Sequence, residues 1–311
     1  MFLEMSQQKY VYHYTSMKGL EGVVKNRTLR FTDHRFLNDY GEFVRPYETL
    51  KKLVDPDIKA MLSDLYMTLN ANYSLALFCV SQTCNSLAQM RLYADDCKGA
   101  AIVFSTDIWS SASKNNGHIF NTVPLWGTPD IPIFKEPVFT PLESCEYEDI
   151  EQYCKKVIKN NQDFLNQLQK FNERKRNLKD LSSSEAGQLF KFLFDIAKWK
   201  DKSFNEEQEM RSVALIPKEE LFFEGRANDI RPYWEWKTQG NNLDSLILGV
   251  ILGTKCSNNT ADFLAYMLGS SRYSGGYSPQ IEWEKEVASS MFDLVKPTYN
   301  YFCFKQRATY Q

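Results

Sequence analysis

The segment Tyr-Ser-Leu-Ala-Leu-Phe-Cys-Val at residues 73–80 is a nearly continuous apolar run with the length of a β-strand. A strand with one face in water alternates polar and apolar residues, whereas a strand that is buried on both faces does not. We therefore predict that this segment is an inner strand of a sheet that is packed on both sides.

Upstream of this segment, the sequence predicts two short strands and two helices. The first helix follows Thr15 and Ser16, whose side chains can cap it, and the second is interrupted at Asp55-Pro56. A polar loop separates the second strand from the second helix. The strands are predicted at 8–14 and 29–32, the loop at 33–41 and the second helix at 42–70.

Downstream, strands and helices alternate until a long helical section interrupts them. Apolar residues at helical spacing predict one long or bent helix at 143–180, and a capping box at 182–185 predicts another that runs to about residue 199. Together they would form a helical hairpin, at 143–199, inserted into a single α+β domain over residues 1–311. The other predicted elements are helices at 86–94 and 259–268, loops at 110–141 and strands at 100–104, 210–216, 221–223, 246–252 and 299–304.

The composition is that of a folded protein without a strong net charge. Of the 311 residues, 43% are hydrophobic and 24% are charged, which excludes a disordered or collagen-like chain. The 37 Lys and Arg residues nearly balance the 39 Asp and Glu residues, so no global positive field would attract nucleic acid or anionic lipid. Any contact with nucleic acid must therefore be local.

The sequence predicts neither a membrane span nor a metal site. The longest apolar run, at 246–252, is far shorter than the ~20 residues that a spanning helix needs, and the first residues lack a signal-peptide pattern. The seven cysteines are scattered, and only three histidines could join them as ligands, which favours free thiols in a reducing compartment. We expect a cytoplasmic protein without a bound metal.

The first candidate site is the segment Tyr-His-Tyr-Thr-Ser at 12–16. In a strand, His13 would point to one face, and Tyr12 and Tyr14 to the other. The imidazole could hydrogen-bond a ribose hydroxyl, and the tyrosines could offer an aromatic surface to a flat heterocycle. The alternative is a half-buried histidine with a structural role, followed by a helix cap.

The second candidate combines Arg30 with the loop Phe-Leu-Asn-Asp-Tyr-Gly-Glu at 36–42. In a functional role, Arg30 would face a phosphate, and the loop, which contains Asn38, would form a wall of the pocket. Asn and Asp also close Asx turns and start helices, so a purely structural loop stays open as the alternative.

The third candidate is the acidic segment before the strand at 210–216, where Glu207, Glu209 and Arg211 recur at every second residue. If the strand begins near Glu207, these side chains share one face and form an acidic lip on a pocket. Carboxylates in this arrangement lie ~7 Å apart, close enough for one to raise the pKa of the other. If residues 206–211 are helical instead, Glu207 and Arg211 form an ordinary surface pair.

Taken in order, these segments resemble the bacterial domain-of-unknown-function family 2971, whose members resemble ADP-ribosyltransferases. The resemblance covers most of the chain. It rests on Tyr-His-Tyr-Thr-Ser at 12–16, Leu-Arg-Phe-Thr at 29–32, Phe-Leu-Asn-Asp-x-x-Glu at 36–42, Phe-Cys-Val-Ser at 78–81, Tyr-Ala-Asp at 93–95, Ala-Ile-Val-Phe at 101–104, Phe-x-x-Glu-x-Glu-x-Arg at 204–211 and Leu-Gly-Val-Ile-Leu-Gly at 248–253.

This resemblance implies a split, mixed or antiparallel β-sheet with flanking helices that takes NAD as a substrate. The implied activity is that of an NAD-dependent ADP-ribosyltransferase, a glycosyltransferase that modifies a protein or nucleic acid, in the setting of a toxin or a phage-defence effector. The alternatives are an NAD glycohydrolase and an inactive module of the same fold that only binds a ligand. None of these activities requires a metal or a membrane.

The resemblance also implies roles for the candidate residues. Glu209 would stabilise the cationic sugar that forms when nicotinamide leaves, with Glu207 as the second carboxylate. The NAD-binding residues would be His13 on the adenosine-side ribose, Tyr14 or Tyr93 on nicotinamide, Arg30 on the pyrophosphate, and Thr15, Asn38 and Arg211, of which Arg211 would orient a carboxylate.

Overall fold

The computed structural model describes residues 10–39, 41–84, 86–106, 136–173, 183–226, 229–237, 247–257, 259–260, 292–297 and 302–306. The strands of this part are β1 (Tyr10–Thr15), β2 (Thr28–Asp33), β3 (Tyr73–Ser81), β4 (Ala100–Ser105), β5 (Val138–Phe139), β6 (Glu143–Ser144), β7 (Glu209–Pro217), β8 (Phe222–Arg226), β9 (Asp229–Lys237), β10 (Ile247–Leu252), β11 (Phe292–Pro297) and β12 (Phe302–Gln306). The helices are α1 (Met17–Asn26), α2 (Gly41–Leu53), α3 (Pro56–Asn72), α4 (Leu87–Leu92), α5 (Ile150–Asn160), α6 (Gln162–Glu173) and α7 (Ser183–Ala197).

The described strands form one sheet, which is antiparallel except where β10 pairs with β12. Its main path runs β11-β12-β10-β4-β1-β3-β2-β9-β8. On the opposite edge of β3 lies β7, which carries the short strands β5 and β6. A mixed set of helices around a mostly antiparallel sheet makes the fold α+β, as the sequence predicts.

β3 is the inner strand that the segment 73–80 predicts. It pairs with β7 along its whole length, and all but one of its residues are buried. Its side chains alternate between two cores, since successive residues of a strand point to opposite faces. Leu75 and Leu77 pack with α2, α3 and α5–α7, whereas Ala76, Phe78 and Val80 pack with α1 and the neighbouring strands.

The helices on the first face share one apolar core with β3 and β7. Leu50 of α2, Leu62 of α3, Leu165 of α6 and Phe192 of α7 are all at most 1% exposed in this core. Burial of each such side chain stabilises the fold by ~1.5–3 kcal/mol. The helices α5–α7 are therefore a structural layer that is packed on the sheet. They do not project from it as a separate hairpin.

Most local predictions for the first 105 residues are confirmed. The break at Asp55-Pro56 separates α2 from α3, and Ser16 caps α1 by accepting a hydrogen bond from the backbone N–H of Gly19 at 3.1 Å. The strands and helices predicted around 8–14, 29–32, 86–94 and 100–104 are present, with shifts of at most two residues at the ends that the structure describes.

The prediction of one helix over 143–180 is wrong at its start. Glu143 and Ser144 form β6, which pairs with β7, and α5 begins only at Ile150, after the cap Asp149. The backbone N–H of Cys145 donates to a carbonyl of β7, so this stretch is held extended although its side-chain spacing fits a helix. The predicted hairpin over 143–199 is therefore a short strand followed by the three helices α5, α6 and α7.

Several predictions fall partly outside the described residues. These are the strand residues 8–9, 246 and 299–301, the loop residues 40 and 110–135, the capping residue 182 and the helix residues 174–180 and 261–268. The single domain over 1–311 includes them and stays a prediction.

A left-handed turn between α4 and β4 brings two glycines against neighbouring backbone. Residues 95–97 all have φ between 51 and 66°. Residues other than glycine rarely adopt this left-handed backbone conformation. Gly99 then passes so close to the carbonyl oxygen of Thr15, and Gly253 to that of Cys97, that a Cβ atom fits in neither place. These contacts lock the end of β1 to the starts of β4 and the loop after β10.

We predict that Gly99→Ala and Gly253→Ala each lower the free energy of unfolding by ~1–3 kcal/mol or more, because the new methyl group would displace backbone rather than a flexible side chain. Gly22→Ala is the matched control, since no atom lies within 4 Å of its added Cβ and it lies inside α1. That change should stabilise the protein by ~0.4–1 kcal/mol. Urea unfolding of the three variants measures both effects, and equal values for all three would contradict the account of this turn.

Candidate functional site

One edge of β3 lacks a strand partner between the places where β2 and β1 pair with it. β2 pairs with β3 at Ala76 and Leu77, and β1 pairs at Ser81, so among the described strands neither reaches residues 78–80 on this edge. β1 continues along β4 instead, and β2 along β9. The sheet is therefore split at this point.

A cavity of about 200 Å³ lies at the split. Its walls come from β1, β2, β3 and β9, from the loop after β2, from α4 and from the segment before β7. Two predicted site residues, Thr15 and Arg211, are not among the residues that line it. The other seven predicted residues line it: His13, Tyr14, Arg30, Asn38, Tyr93, Glu207 and Glu209.

Ser81 explains why residues distant in sequence meet at this cavity. It is the register partner of Tyr12 on β1 and of Glu209 on β7, so it joins the strands that carry the predicted imidazole and the predicted acids. Its hydroxyl also donates to the carbonyl oxygen of Glu207 at 2.7 Å. The first and third candidate segments of the sequence therefore converge on one cavity.

His13 occupies the gap that the split leaves on β3. Its Nδ1 lies 2.9 Å from the carbonyl oxygen of Cys79, and its ring stacks on Phe78 with centroids 4.9 Å apart. Burial lowers the pKa of His13, against an upward effect of the Cys79 carbonyl, so the ring is neutral near pH 7. Because a carbonyl can only accept, Nδ1 carries the proton, and Nε2 is left as a hydrogen-bond acceptor.

The two tyrosines of the predicted site have different partners. The hydroxyl of Tyr14 donates to the carbonyl of Thr83 at 2.6 Å and accepts from the backbone N–H of Ser86 at 3.2 Å, so it fixes the loop after β3. The hydroxyl of Tyr93 donates to Glu207 Oε1 at 3.2 Å. Burial raises the pKa of Tyr93, which keeps this hydroxyl protonated as a donor.

The arginines on the far wall are not equivalent. Arg30 Nε lies 3.3 Å from Glu235, its Nη1 lies 3.7 Å from Glu224, and its guanidinium stacks on Tyr233 at 4.2 Å. Arg231 on β9 also lines the cavity, and its buried Nε has no hydrogen-bond partner among the described residues. Its ion pair with Asp229 is long, at 3.9 Å. Sequence analysis did not single out Arg231.

Five charged side chains form a buried charge cluster beside the cavity: Glu42, Lys200, Glu207, Glu209 and Arg211. Lys200 Nζ contacts all three carboxylates, at 3.2 Å from Glu42, 2.6 Å from Glu207 and at short range from Glu209. Arg211 contacts Glu42 through Nη2 and Glu209 through Nε. Lys200 and Arg211 are each only 1% exposed, so this cluster is shielded from bulk water.

Arg211 also ties the cluster to the helical layer. Its Nη1 donates to the carbonyl oxygens of Ala197 at 2.8 Å and Trp199 at 3.2 Å, at the end of α7. Cations are favourable at a helix C-terminus, where carbonyl groups lack partners in the helix. The role predicted for Arg211, that of orienting a carboxylate, agrees with its contacts, whereas direct contact with a ligand in the cavity does not.

The charges of the cluster shift the pKa values of its members in opposite directions. Burial alone would raise the pKa of Glu209, but Arg211 and Lys200 outweigh this effect and lower the pKa to about 2. Burial raises the pKa of Glu42 despite the attraction of Arg211. For Lys200, burial opposes the charge, but Glu209 and Glu42 raise the pKa, so the ammonium stays protonated.

The acidic segment adopts neither of the two conformations considered from the sequence. Residues Lys202–Glu207 form a 3-10 turn, Gln208 has left-handed φ and ψ of 42° and 51°, and β7 starts at Glu209. The left-handed residue turns the chain so that Glu207 and Glu209 both reach Lys200. The acids therefore form part of a buried network rather than a solvated lip or a surface helix.

Sequence analysis missed Lys200 and Glu42 as members of the site. Glu42 ends the quoted loop at 36–42, and Lys200 lies seven residues before Glu207, but an isolated lysine or glutamate next to a turn is usually solvated. Only the tertiary fold, which packs the start of α2 against the end of α7, shows that they are buried together.

In the part of the chain that the structure describes, no group of three or more His, Cys, Asp or Glu side chains has an arrangement that could hold a metal ion. The described helices also include none with the length and apolar character needed to cross a bilayer.

We predict that Lys200→Met lowers the free energy of unfolding by ~3–5 kcal/mol, because it leaves three buried carboxylates with one cation. Lys155→Met removes the same group from an exposed pair with Glu151 on α5 and should cost less than ~1 kcal/mol. Urea unfolding at pH 7 compares the two. Similar losses for both variants would show that the buried cluster does not stabilise the fold.

The lowered pKa of Glu209 predicts a loss of stability in acid. A carboxyl whose pKa falls from 4.5 to about 2 on folding stabilises the protein above pH 4.5, and this contribution is lost as the pH falls towards 2. It amounts to roughly 3 kcal/mol at most. The unfolding free energy of Glu209→Gln should therefore change less between pH 5 and 2.5 than that of the wild type. Glu151→Gln, at an exposed site, should follow the wild type, and parallel curves for all three proteins would contradict the assignment.

Comparison with known proteins finds a family model that matches part of the chain. The model of the family described as Protein of unknown function (DUF2971) matches residues 89–212, a range that includes Tyr93, Lys200, Glu207, Glu209 and Arg211. No curated protein and no solved structure matches the chain. The match supports the resemblance to family 2971 over these residues. The likeness to ADP-ribosyltransferases stays a prediction.

Proposed function

We propose that this chain is an NAD-dependent ADP-ribosyltransferase with the split sheet of that enzyme class and that it modifies a macromolecular acceptor. One observation carries the proposal: β1 and β2 diverge along β3, and the resulting cavity holds His13 on one side and Glu207 and Glu209 on the other. The sequence resemblance implies a role in NAD binding or cleavage for each of these three residues.

The size of the cavity supports one end of a dinucleotide as the ligand. Sites for drug-sized ligands usually measure roughly 300–1,000 Å³, and the described cavity measures about 200 Å³. Its walls extend across β1, β3, β2 and β9, and three strand spacings correspond to roughly 14 Å. The nicotinamide riboside half would fill the cavity, and the rest of NAD would extend towards β9.

The polar groups of the cavity suit the ribose, the nicotinamide ring and the pyrophosphate of NAD. In this placement, Nε2 of His13 would accept a hydrogen bond from a hydroxyl of the nicotinamide-side ribose, rather than from the adenosine-side ribose that the resemblance implies. Tyr93 is better placed than Tyr14 to stack on nicotinamide, because the side chain of Tyr93 is partly exposed, whereas Tyr14 is only 6% exposed. Arg231 is better placed than Arg30 for the pyrophosphate, since Arg30 is held by two carboxylates. Asn38 would contribute to the wall beside the ribose.

The proposed reaction breaks the bond between ribose C1′ and the nicotinamide nitrogen. Both electrons of that bond leave with nicotinamide, which becomes neutral, and the ribose becomes an oxocarbenium cation. Fixed carboxylates in a site with little water stabilise such a cation strongly, and Glu207 and Glu209 would supply them. A lone pair of the acceptor then forms the new bond to C1′, and the acceptor's proton passes to a carboxylate or to water.

An experiment with two labels tests the proposal. The purified chain is incubated with cell lysate and NAD that carries one label on adenine and another on nicotinamide. We expect the adenine label in the macromolecular fraction and the nicotinamide label among small molecules. The Lys155→Met chain, changed only on an exposed helix face, should give the same result as the wild type.

The distribution of the labels separates the alternatives. Free labelled ADP-ribose without a labelled acceptor would show that the chain is an NAD glycohydrolase and not a transferase. Heat of NAD binding in calorimetry, without release of nicotinamide, would show that the chain is an inactive binding module. Absence of both binding and release would contradict every NAD-based function for this cavity.

A further inference from the structure

The buried charge cluster has one carboxylate more than it has cations. Three glutamates share one lysine and one arginine, which gives a net charge of −1 when all five groups are ionised. A net charge out of contact with water is costly unless a partner compensates it. The position of the excess charge therefore indicates where a cationic ligand group would be stabilised.

The contacts place this excess on Glu207. Glu42 contacts both Arg211 and Lys200, and Glu209 also contacts both. Glu207 contacts Lys200 alone, and its second partner is the neutral hydroxyl of Tyr93. Lys200 Nζ lies 2.6 Å from Glu207 Oε2, and the Tyr93 hydroxyl donates to Oε1, so Glu207 shares one cation where Glu42 and Glu209 each share two.

The backbone before β7 holds Glu207 in this position at a cost. Gln208 has left-handed φ and ψ of 42° and 51°, which is uncommon for a residue with a side chain and is often found at functional sites. Two hydrogen bonds from β3 and the residue after it stabilise the turn: Ser81 Oγ donates to the Glu207 carbonyl at 2.7 Å, and the Gln82 N–H donates to the Gln208 carbonyl at 2.9 Å. The turn keeps Glu207 at the cavity wall with only 3% of its surface exposed.

We propose that Glu207 is the carboxylate that meets the cationic centre of the ligand, and that Glu209 is a positioning residue that holds Lys200 and Arg211 in place. This assignment rests on the proposed function for the identity of the cation. In the ground state the cation is the pyridinium ring of NAD. After nicotinamide leaves, it is the oxocarbenium ribose. The assignment reverses the roles that the resemblance gave to the two acids.

The binding of two small probes tests the role of Glu207 without any cleavage of NAD. 1-Methylnicotinamide carries a permanent positive charge, and nicotinamide has the same ring without it. We expect the wild type to bind the charged probe at least about tenfold more tightly in calorimetry, because a poorly solvated carboxylate attracts a cation strongly. Glu207→Gln should reduce this preference to less than about threefold with an unchanged thermal midpoint, and Glu207→Asp should keep part of it.

Glu209→Gln provides the contrast. Because Arg211 and Lys200 lose a shared partner, this variant should lower the thermal midpoint and weaken both probes by similar factors, so that their ratio stays within about threefold of the wild-type ratio. Glu151→Gln, on an exposed helix, controls for the change of net charge and should resemble the wild type in every respect. If Glu207→Gln keeps the preference, or Glu209→Gln alone abolishes it with the fold intact, the assignment is overturned.

Release of nicotinamide from NAD, measured in parallel, separates this inference from the proposed function. If the wild type releases none but its preference for the cation depends on Glu207, the transferase proposal fails and the cation site stands. If the wild type releases nicotinamide and Glu207→Gln does so equally fast, the transferase proposal stands and the role of Glu207 is overturned.

Discussion

Two buried cations shared among three buried carboxylates constrain this structure most strongly. Lys200 and Arg211 are each only 1% exposed, and both are compensated by glutamates from separate elements of the chain. The start of α2, the end of α7 and the start of β7 can therefore meet in only one arrangement. An error in the position of any of them would leave an isolated charge in the interior, which is far more costly than a lost apolar contact.

The second constraint comes from the central strand. β3 is buried on both faces and fully paired with β7, so only its opposite edge can open. β1 and β2 compete for that edge and share it at its two ends, and the imidazole of His13 fills the place of a strand partner at Cys79. The cavity is thus a product of sheet topology, and its polar groups belong to rigid elements rather than to loops alone.

Periodicity and capping residues were sufficient to predict most of the elements, because those signals are local. The inner strand 73–80, the cap Ser16 and the break at Asp55 are examples. The start of the helix predicted at 143 could not be found in this way, since its backbone pairs with β7, which follows much later in the sequence. The cluster was beyond sequence reasoning for a related reason: Glu42 and Lys200 show their role only when both are removed from water by the same packing.

The hydrogen bonds of Arg211 to the carbonyls of Ala197, the last residue of α7, and of Trp199, just after it, have a consequence for dynamics. They make the closing turn of that helix and the first residues of β7 one cooperative unit, in which local opening of the helix exposes the cluster to solvent. Amide hydrogens at the end of α7 and at the start of β7 would then exchange with solvent through the same opening event. Order at the end of α7 and the geometry of the charge cluster beside the cavity would therefore be thermodynamically linked.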